Sequence, residues 1–157
     1  MTDLLTCTTR LLAPAQIGEV LRACWMGDAA LLTTFHRKAP CTLTEAVVDT
    51  VAALRTADGG EVFALETPTG ELVGVVGFEM GRTALTTFGL AKGWRNPDGR
   101  AHFWDALDHL TKGAPLLVAV YARNPRAARF LTEAGGAVWQ GDFTDEATGL
   151  PGSLYTL

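Results

Sequence analysis

The run Leu72-Val73-Gly74-Val75-Val76-Gly77-Phe78 carries no polar side chain on either of its alternating sets of positions. Successive residues of a strand point to opposite faces, so this run belongs in the middle of a sheet that is covered on both sides. It reads as the second arm of a hairpin, Glu61 to Glu66 and Glu71 to Glu79, split by the turn Thr67-Pro68-Thr69-Gly70, and Arg82 to Leu90 makes a third arm. Helices to cover the sheet are available. Pro14 to Trp25 repeats Ile17, Val20, Leu21 and Cys24 at helical spacing. Thr42-Leu43-Thr44-Glu45 offers an N-cap for a second helix that turns Val47, Val48, Val51 and Leu54 inward before Asp58-Gly59-Gly60 stops it. The 157 residues, 48% of them hydrophobic, are enough for one domain with a core and too few for two.

The second half alternates strand, loop and helix. Asn96-Pro97-Asp98-Gly99-Arg100-Ala101 is a loop with small residues at intervals that opens a helix from Arg100 to Lys112. Asn124-Pro125-Arg126-Ala127-Ala128-Arg129-Phe130-Leu131 follows an apolar strand, Pro115 to Tyr121, and opens a helix from Pro125 to Ala134. Such loops aim backbone N–H groups at the positive end of a helix dipole, where a phosphate binds, and in an α/β sheet the ligand lies at the strand ends. A first strand from Leu4 to Leu12 and two last strands, Ala137 to Phe143 and Ser153 to Leu157, complete the series.

These two segments resemble the motifs of the GCN5-related N-acetyltransferase (GNAT) superfamily. The family's phosphate loop runs Gln or Arg, two residues, Gly, one residue, then Gly or Ala; Asn96, Gly99 and Ala101 occupy those positions, with Asn in the first. Its second motif runs Asn, two residues, Ala, an apolar pair ending in Tyr, then Gly-Phe, against Asn124, Ala127, Phe130-Leu131 and Gly135-Gly136. Leu131 therefore stands where the family has the tyrosine that commonly protonates the departing thiolate, and leucine cannot donate a proton.

The resemblance implies an α/β fold: a central, mixed, mostly antiparallel twisted sheet of about seven strands in the order β-α-α-β-β-β-α-β-α-β-β, with helices on both faces. It implies acetyl-CoA as cofactor, its pantetheine arm lying between a splayed fourth and fifth strand along Thr86 to Ala91, and held by Leu90, Ala91, Asn96, Gly99, Arg100, Ala101, Asn124 and Ala127. The activity implied is transfer of the acetyl group to a small-molecule or peptide amine by direct attack. Glu79, at the end of the third strand, is the candidate base, and Tyr121, at the end of the fifth, the candidate acid in place of Leu131. Each also reads simply, Glu79 as a solvated carboxylate and Tyr121 as a packing residue. Two other readings keep the fold: a module without transfer chemistry, resembling short GNAT-like proteins of tailed bacteriophages, and an acyl-CoA sensor.

The formal charge of −4 leaves no basic stripe for nucleic acid, although Arg95, Arg100, Arg123, Arg126 and Arg129 gather around the phosphate loop. Cys7, Cys24 and Cys41 are odd in number and share no CxxC spacing, so neither a disulfide framework nor a metal site is indicated. With no cationic leader and no apolar run near the ~18 residues of a spanning helix, a cytoplasmic protein without membrane attachment is expected. His36 lies where the family places part of its acceptor site, and Trp94 either covers an adenine or anchors the loop. A terminal strand at Ser153 to Leu157, if exposed, would pair across a homodimer.

Overall fold

The computed structural model describes residues 7–28, 41–56, 59–146 and 148–157. The apolar run is β3 (Leu72–Glu79), and six consecutive residues of it, Val73 to Phe78, are buried. It pairs antiparallel with β2 (Glu61–Glu66) on one side and β4 (Ala84–Leu90) on the other. β1 (Thr8–Leu11) adds to β2, and Arg10 pairs with Glu66 across that junction (2.8 Å). Beyond β4 come β5 (Leu117–Tyr121), β6 (Val138–Thr144) and β7 (Pro151–Thr156), and the sheet among the described residues runs β1-β2-β3-β4-β5-β7-β6. Only the β4–β5 junction is parallel.

Helices cover the central strands on both faces, as a strand with two apolar faces requires. On one face α1 (Pro14–Trp25) and α2 (Leu43–Thr56) bury Leu21, Cys24, Trp25, Ala46 and Val47 against Val75. Thr42 caps α2 as its sequence promised: Thr42 Oγ1 accepts from the Glu45 N–H (3.2 Å) and Glu45 Oε1 from the Thr42 N–H (3.0 Å). On the other face α3 (Pro97–Thr111) packs Phe103, Ala106, Leu107 and Leu110 on Phe63, Val76, Phe78 and Leu85. The last helix, α4 (Pro125–Arg129), widens into a π-helical turn (Phe130–Ala134).

Several boundaries moved from the sequence expectation for local reasons. α3 begins three residues before the expected Arg100, because Asn96 Oδ1 accepts the Gly99 N–H (2.8 Å) and Pro97, which has no N–H to lose, supplies the first helical residue. A short 3₁₀ turn (Lys92–Trp94), not anticipated, folds over that helix start. The expected first strand shortens to Thr8–Leu11 within the described residues. β7 is not an edge: it lies between β5 and β6, paired along Leu117–Tyr121 and Val138–Thr144, so Ser153 to Leu157 has no free side for a dimer partner. The outermost strand at that end is β6.

Gly99 is the glycine on which this arrangement turns. A Cβ there would overlap the Trp94 carbonyl oxygen, a backbone atom that cannot swing aside, whereas a Cβ on Gly93 meets nothing within 4 Å. Gly99→Ala is expected to cost roughly 1–3 kcal/mol and lower Tm by roughly 3–10 °C, with Gly93→Ala nearly neutral, read by thermal denaturation of both variants.

Candidate active site

The parallel junction is short. β4 and β5 pair only at Ala84 with Leu117 and Leu85 with Val118, after which the two strands part. Each is fully engaged on its other side: β4 is matched to β3 from Leu90 back to Ala84, and β5 to β7 over all five of its residues. The gap between them is therefore walled by two complete half-sheets. A cavity of about 420 Å³ fills it, lined by Thr86 and Phe88 of β4, Ala119 and Tyr121 of β5, and Trp25 and Leu54 from the helices above. A second cavity of about 250 Å³ continues it toward the start of α3, sharing Trp25, Phe88, Asn124 and Ala127 with the first.

The two compartments differ in charge. The smaller is lined by Arg95, Arg100 and Arg126 together with Asp28. Asp28 is buried and ties two of these arginines together, accepting from Arg95 at 2.8 Å and Arg126 at 3.5 Å. One carboxylate against three guanidinium groups leaves a cationic surplus in a partly enclosed space, which attracts an anion such as phosphate. The larger compartment has apolar walls, a few hydroxyls and a single carboxylate, Glu79.

The expected cofactor residues fall into two groups. Leu90, Arg100, Asn124 and Ala127 line the cleft. Asn96, Gly99, Ala101 and Ala91 shape the loop without lining either cavity. The expectation that the helix start would offer outward N–H groups needs correction. Gly99 N–H is taken by Asn96 Oδ1, Arg100 N–H donates to the Asn96 carbonyl (3.0 Å), Pro97 has none, and Asp98 adds a negative charge to the first turn. The Ala91 N–H likewise donates to the Val73 carbonyl (2.8 Å), and the Leu90 carbonyl accepts from Arg95 Nε (3.2 Å). The cationic groups that face this cleft are arginine side chains, Arg95, Arg100 and Arg126. Of the five arginines expected, Arg123 and Arg129 are not among the lining residues.

Trp94 sits as a loop anchor: its ring meets His102 edge-on at 5.7 Å, over Gly99. His36 lies outside the described residues. Leu131 is completely buried in the core beneath α3. The neighbouring Phe130 is the residue that lines the cleft, stacked on Trp104 and Phe88. Cys24, whose Sγ lies 3.9 Å from the Gly89 carbonyl, is buried, and burial pushes its thiol up to about 12, which leaves no thiolate to act as a covalent carrier. Among the described residues no group of three or more His, Cys, Asp and Glu is placed to hold a metal, and no helix is long and apolar enough to cross a membrane.

Both candidate catalytic residues line the larger cavity. Glu79 is the half-buried end of β3, beside Ala84 where β4 begins. Tyr121 donates its hydroxyl to Asp145 Oδ2 at 2.7 Å and sets its ring edge-on to Phe143. Burial, then the Asp145 carboxylate, raises its phenol to about 12. A proton held this tightly is a poor one to give away in the neutral range. Trp25, Asp28 and Phe130 escaped sequence reasoning as site residues, two of them reading as generic apolar positions and Asp28 standing between a helix and a loop, whereas Phe88 falls inside the expected Thr86 to Ala91 stretch.

The sequence matches no protein-family model and no curated protein. The fold does match solved structures. An acetyltransferase from Thermus thermophilus superposes with a TM-score of 0.68 at 20% identity, covering 98% of this chain and 97% of that one. A probable acetyltransferase of the GNAT family from Chromobacterium violaceum gives 0.69 at 12%, covering 97% and 82%. Spermidine N-acetyltransferase from Vibrio cholerae, in complex with CoA and spermine, gives 0.63 at 14%, covering 97% and 95%. The chain thus has the GNAT fold over nearly its whole length, and the expected α/β architecture of seven strands stands.

The Tyr121–Asp145 bond sets a pH signature. A phenol whose folded pKa is raised from 10 to about 12 contributes stability that is fully present below about pH 10 and is lost as pH climbs toward 12. Alkaline denaturation of the parent should steepen across that window, and Tyr121→Phe should remove the steepening while leaving stability at higher pH little changed.

Proposed function

We propose that the protein is an acetyl-CoA-dependent N-acetyltransferase acting on an amine by direct attack. The observation that carries this reading is the parting of β4 from β5 over a cleft that is apolar along its length and arginine-lined at one end. An extended chain ending in phosphates fits that shape: an amide-bearing arm lies between strands whose facing backbone edges have lost each other, and the phosphates meet Arg95, Arg100 and Arg126. The fold shared with the acetyltransferases supports the same ligand, as does the Vibrio cholerae neighbour crystallised with CoA and spermine.

Acetyl-CoA supplies the acetyl group already activated as a thioester. The chain's own work is to bind, orient and manage one proton. Asp28 holds Arg95 and Arg126 at the cleft wall before any phosphate arrives, so little side-chain order remains to be imposed on binding. Asn124 and Ala127 close the middle of the cleft, which they share between its two compartments. Trp25 and Phe88 exclude water from the same stretch. Glu79 takes the proton of an ammonium entering the larger compartment, directly or through a water. We give Tyr121 a place in the wall rather than the role of acid, because its hydroxyl is committed to Asp145. With Leu131 in the core, the sulfur leaves without a protein acid and takes its proton from water.

Two measurements test this. Isothermal titration of acetyl-CoA should give binding that weakens about 10- to 100-fold in an Arg100→Glu, Arg126→Glu variant, the scale of one lost charged hydrogen bond or more. Glu79→Gln should retain CoA affinity and lose roughly 100-fold in kcat for thiol release with an accepted amine. Absence of acetyl-CoA binding to the parent would end the transferase reading.

A further inference from the structure

Resting on the transferase reading, we propose that the acceptor is a singly charged primary amine on an apolar body, an arylalkyl or long alkyl monoamine, and not a polycation. The larger compartment presents Trp25, Ala53, Leu54, Leu85, Leu117 and Leu154 to whatever enters it. Among the described lining residues its carboxylate is Glu79, and Asp145, behind the wall, is engaged by the Tyr121 hydroxyl (2.7 Å). The carboxylate of the adjoining compartment, Asp28, is spent on Arg95 and Arg126.

A polyamine or an amino sugar carries several ammonium groups, each of which must be paired or left in water. Placed with one nitrogen at Glu79, such a molecule would set its next cation against leucine and tryptophan side chains, with no second carboxylate among the described lining residues to meet it. A monoamine has the opposite balance: its charge meets Glu79, and its apolar body gains from leaving water. The compartment is large enough. Its volume of about 420 Å³ compares with the roughly 150 Å³ in which an engineered apolar cavity holds benzene, so a one-ring amine fits beside the thioester end of the cofactor. Transfer forms the amide N–C bond and breaks the C–S bond. Of the two protons the ammonium loses, Glu79 takes one and passes it to water, and the other ends on the thiol.

The test is thiol release from acetyl-CoA with 2-phenylethylamine, hexylamine and spermine, run beside calorimetric titration of CoA. The expected result is a kcat/KM at least ten times higher for the two monoamines than for spermine, with KM for 2-phenylethylamine nearly insensitive to salt. Leu117→Asp adds a carboxylate at a cleft position that is 44% exposed and so tolerant of charge, and it should narrow that preference several-fold. CoA binding with spermine used as well as or better than the monoamines would overturn the acceptor assignment and leave the transferase intact. CoA binding with no amine consumed would overturn the acceptor assignment together with catalysis, leaving a cofactor-binding protein. No CoA binding at all would overturn both.

Discussion

The two-residue parallel contact between β4 and β5 is the constraint from which the rest of the site follows. Parallel strands pair evenly along their length when nothing intervenes, and here each strand has a complete antiparallel partner on its far side. The stability of the sheet therefore resides in two half-sheets, β1 to β4 and β5-β7-β6, and the junction can open at one end without unravelling either. Bulky side chains line the opening. Phe88 faces Phe103 and Phe130 at ring separations of 6.1 and 6.4 Å, and Trp25 of α1 lines the same cleft with Gly89.

Charge is then distributed by the elements that border the gap. α1 ends at Trp25, the chain turns through Gly27 in a left-handed conformation, and Asp28 arrives buried at the cleft, within reach of Arg95 before α3 and Arg126 in α4. A buried carboxylate is tolerated only when paired, and a pair of arginines held by one acid is a preformed anion site with charge to spare. This arrangement displaces the simpler device of a bare helix start. Asn96 takes the Gly99 and Arg100 N–H groups at the start of α3 and fixes the loop under Trp94, and in the proposed transferase the guanidinium groups would do the work those N–H groups would have done.

Where the sequence was legible, the determinants were local. The two-faced apolar run, the Thr42–Glu45 capping box and the Pro-initiated helices after Asn96 and Asn124 each specify their element through neighbours within about one turn. Glu66, the end of β2, and Trp25, the end of α1, fell where periodicity placed them. What escaped depends on distance. That β7 inserts between β5 and β6 is decided by pairing with a strand some thirty residues earlier, and no motif marks it. The π turn after Arg129 places Phe130 at the cleft and Leu131 in the core, a distinction that uniform helical spacing blurs. Asp28 gains its meaning from residues 67 and 98 positions away, contacts that a single sequence does not announce.

That Leu131 stands where the resembled motif has a tyrosine bears on the proposed chemistry less than the resemblance suggests. An alkyl ammonium resembles lysine, with a pKa near 10.4, so near neutrality almost none of it is the free amine that attacks, and a base must strip a proton from it. A thiol resembles cysteine, near 8.5, so its anion is a competent leaving group in the same pH range and needs a proton only after it has departed. Acid and base assistance are thus unequal in value: the base acts on the scarce species, the acid on one that departs readily alone. With Glu79 as the proposed base and a buried leucine at the acid's position, the proposed transferase would retain the costlier half of the proton management. The core gains from the exchange as well, since Leu131 packs without a hydroxyl that would have required a buried partner.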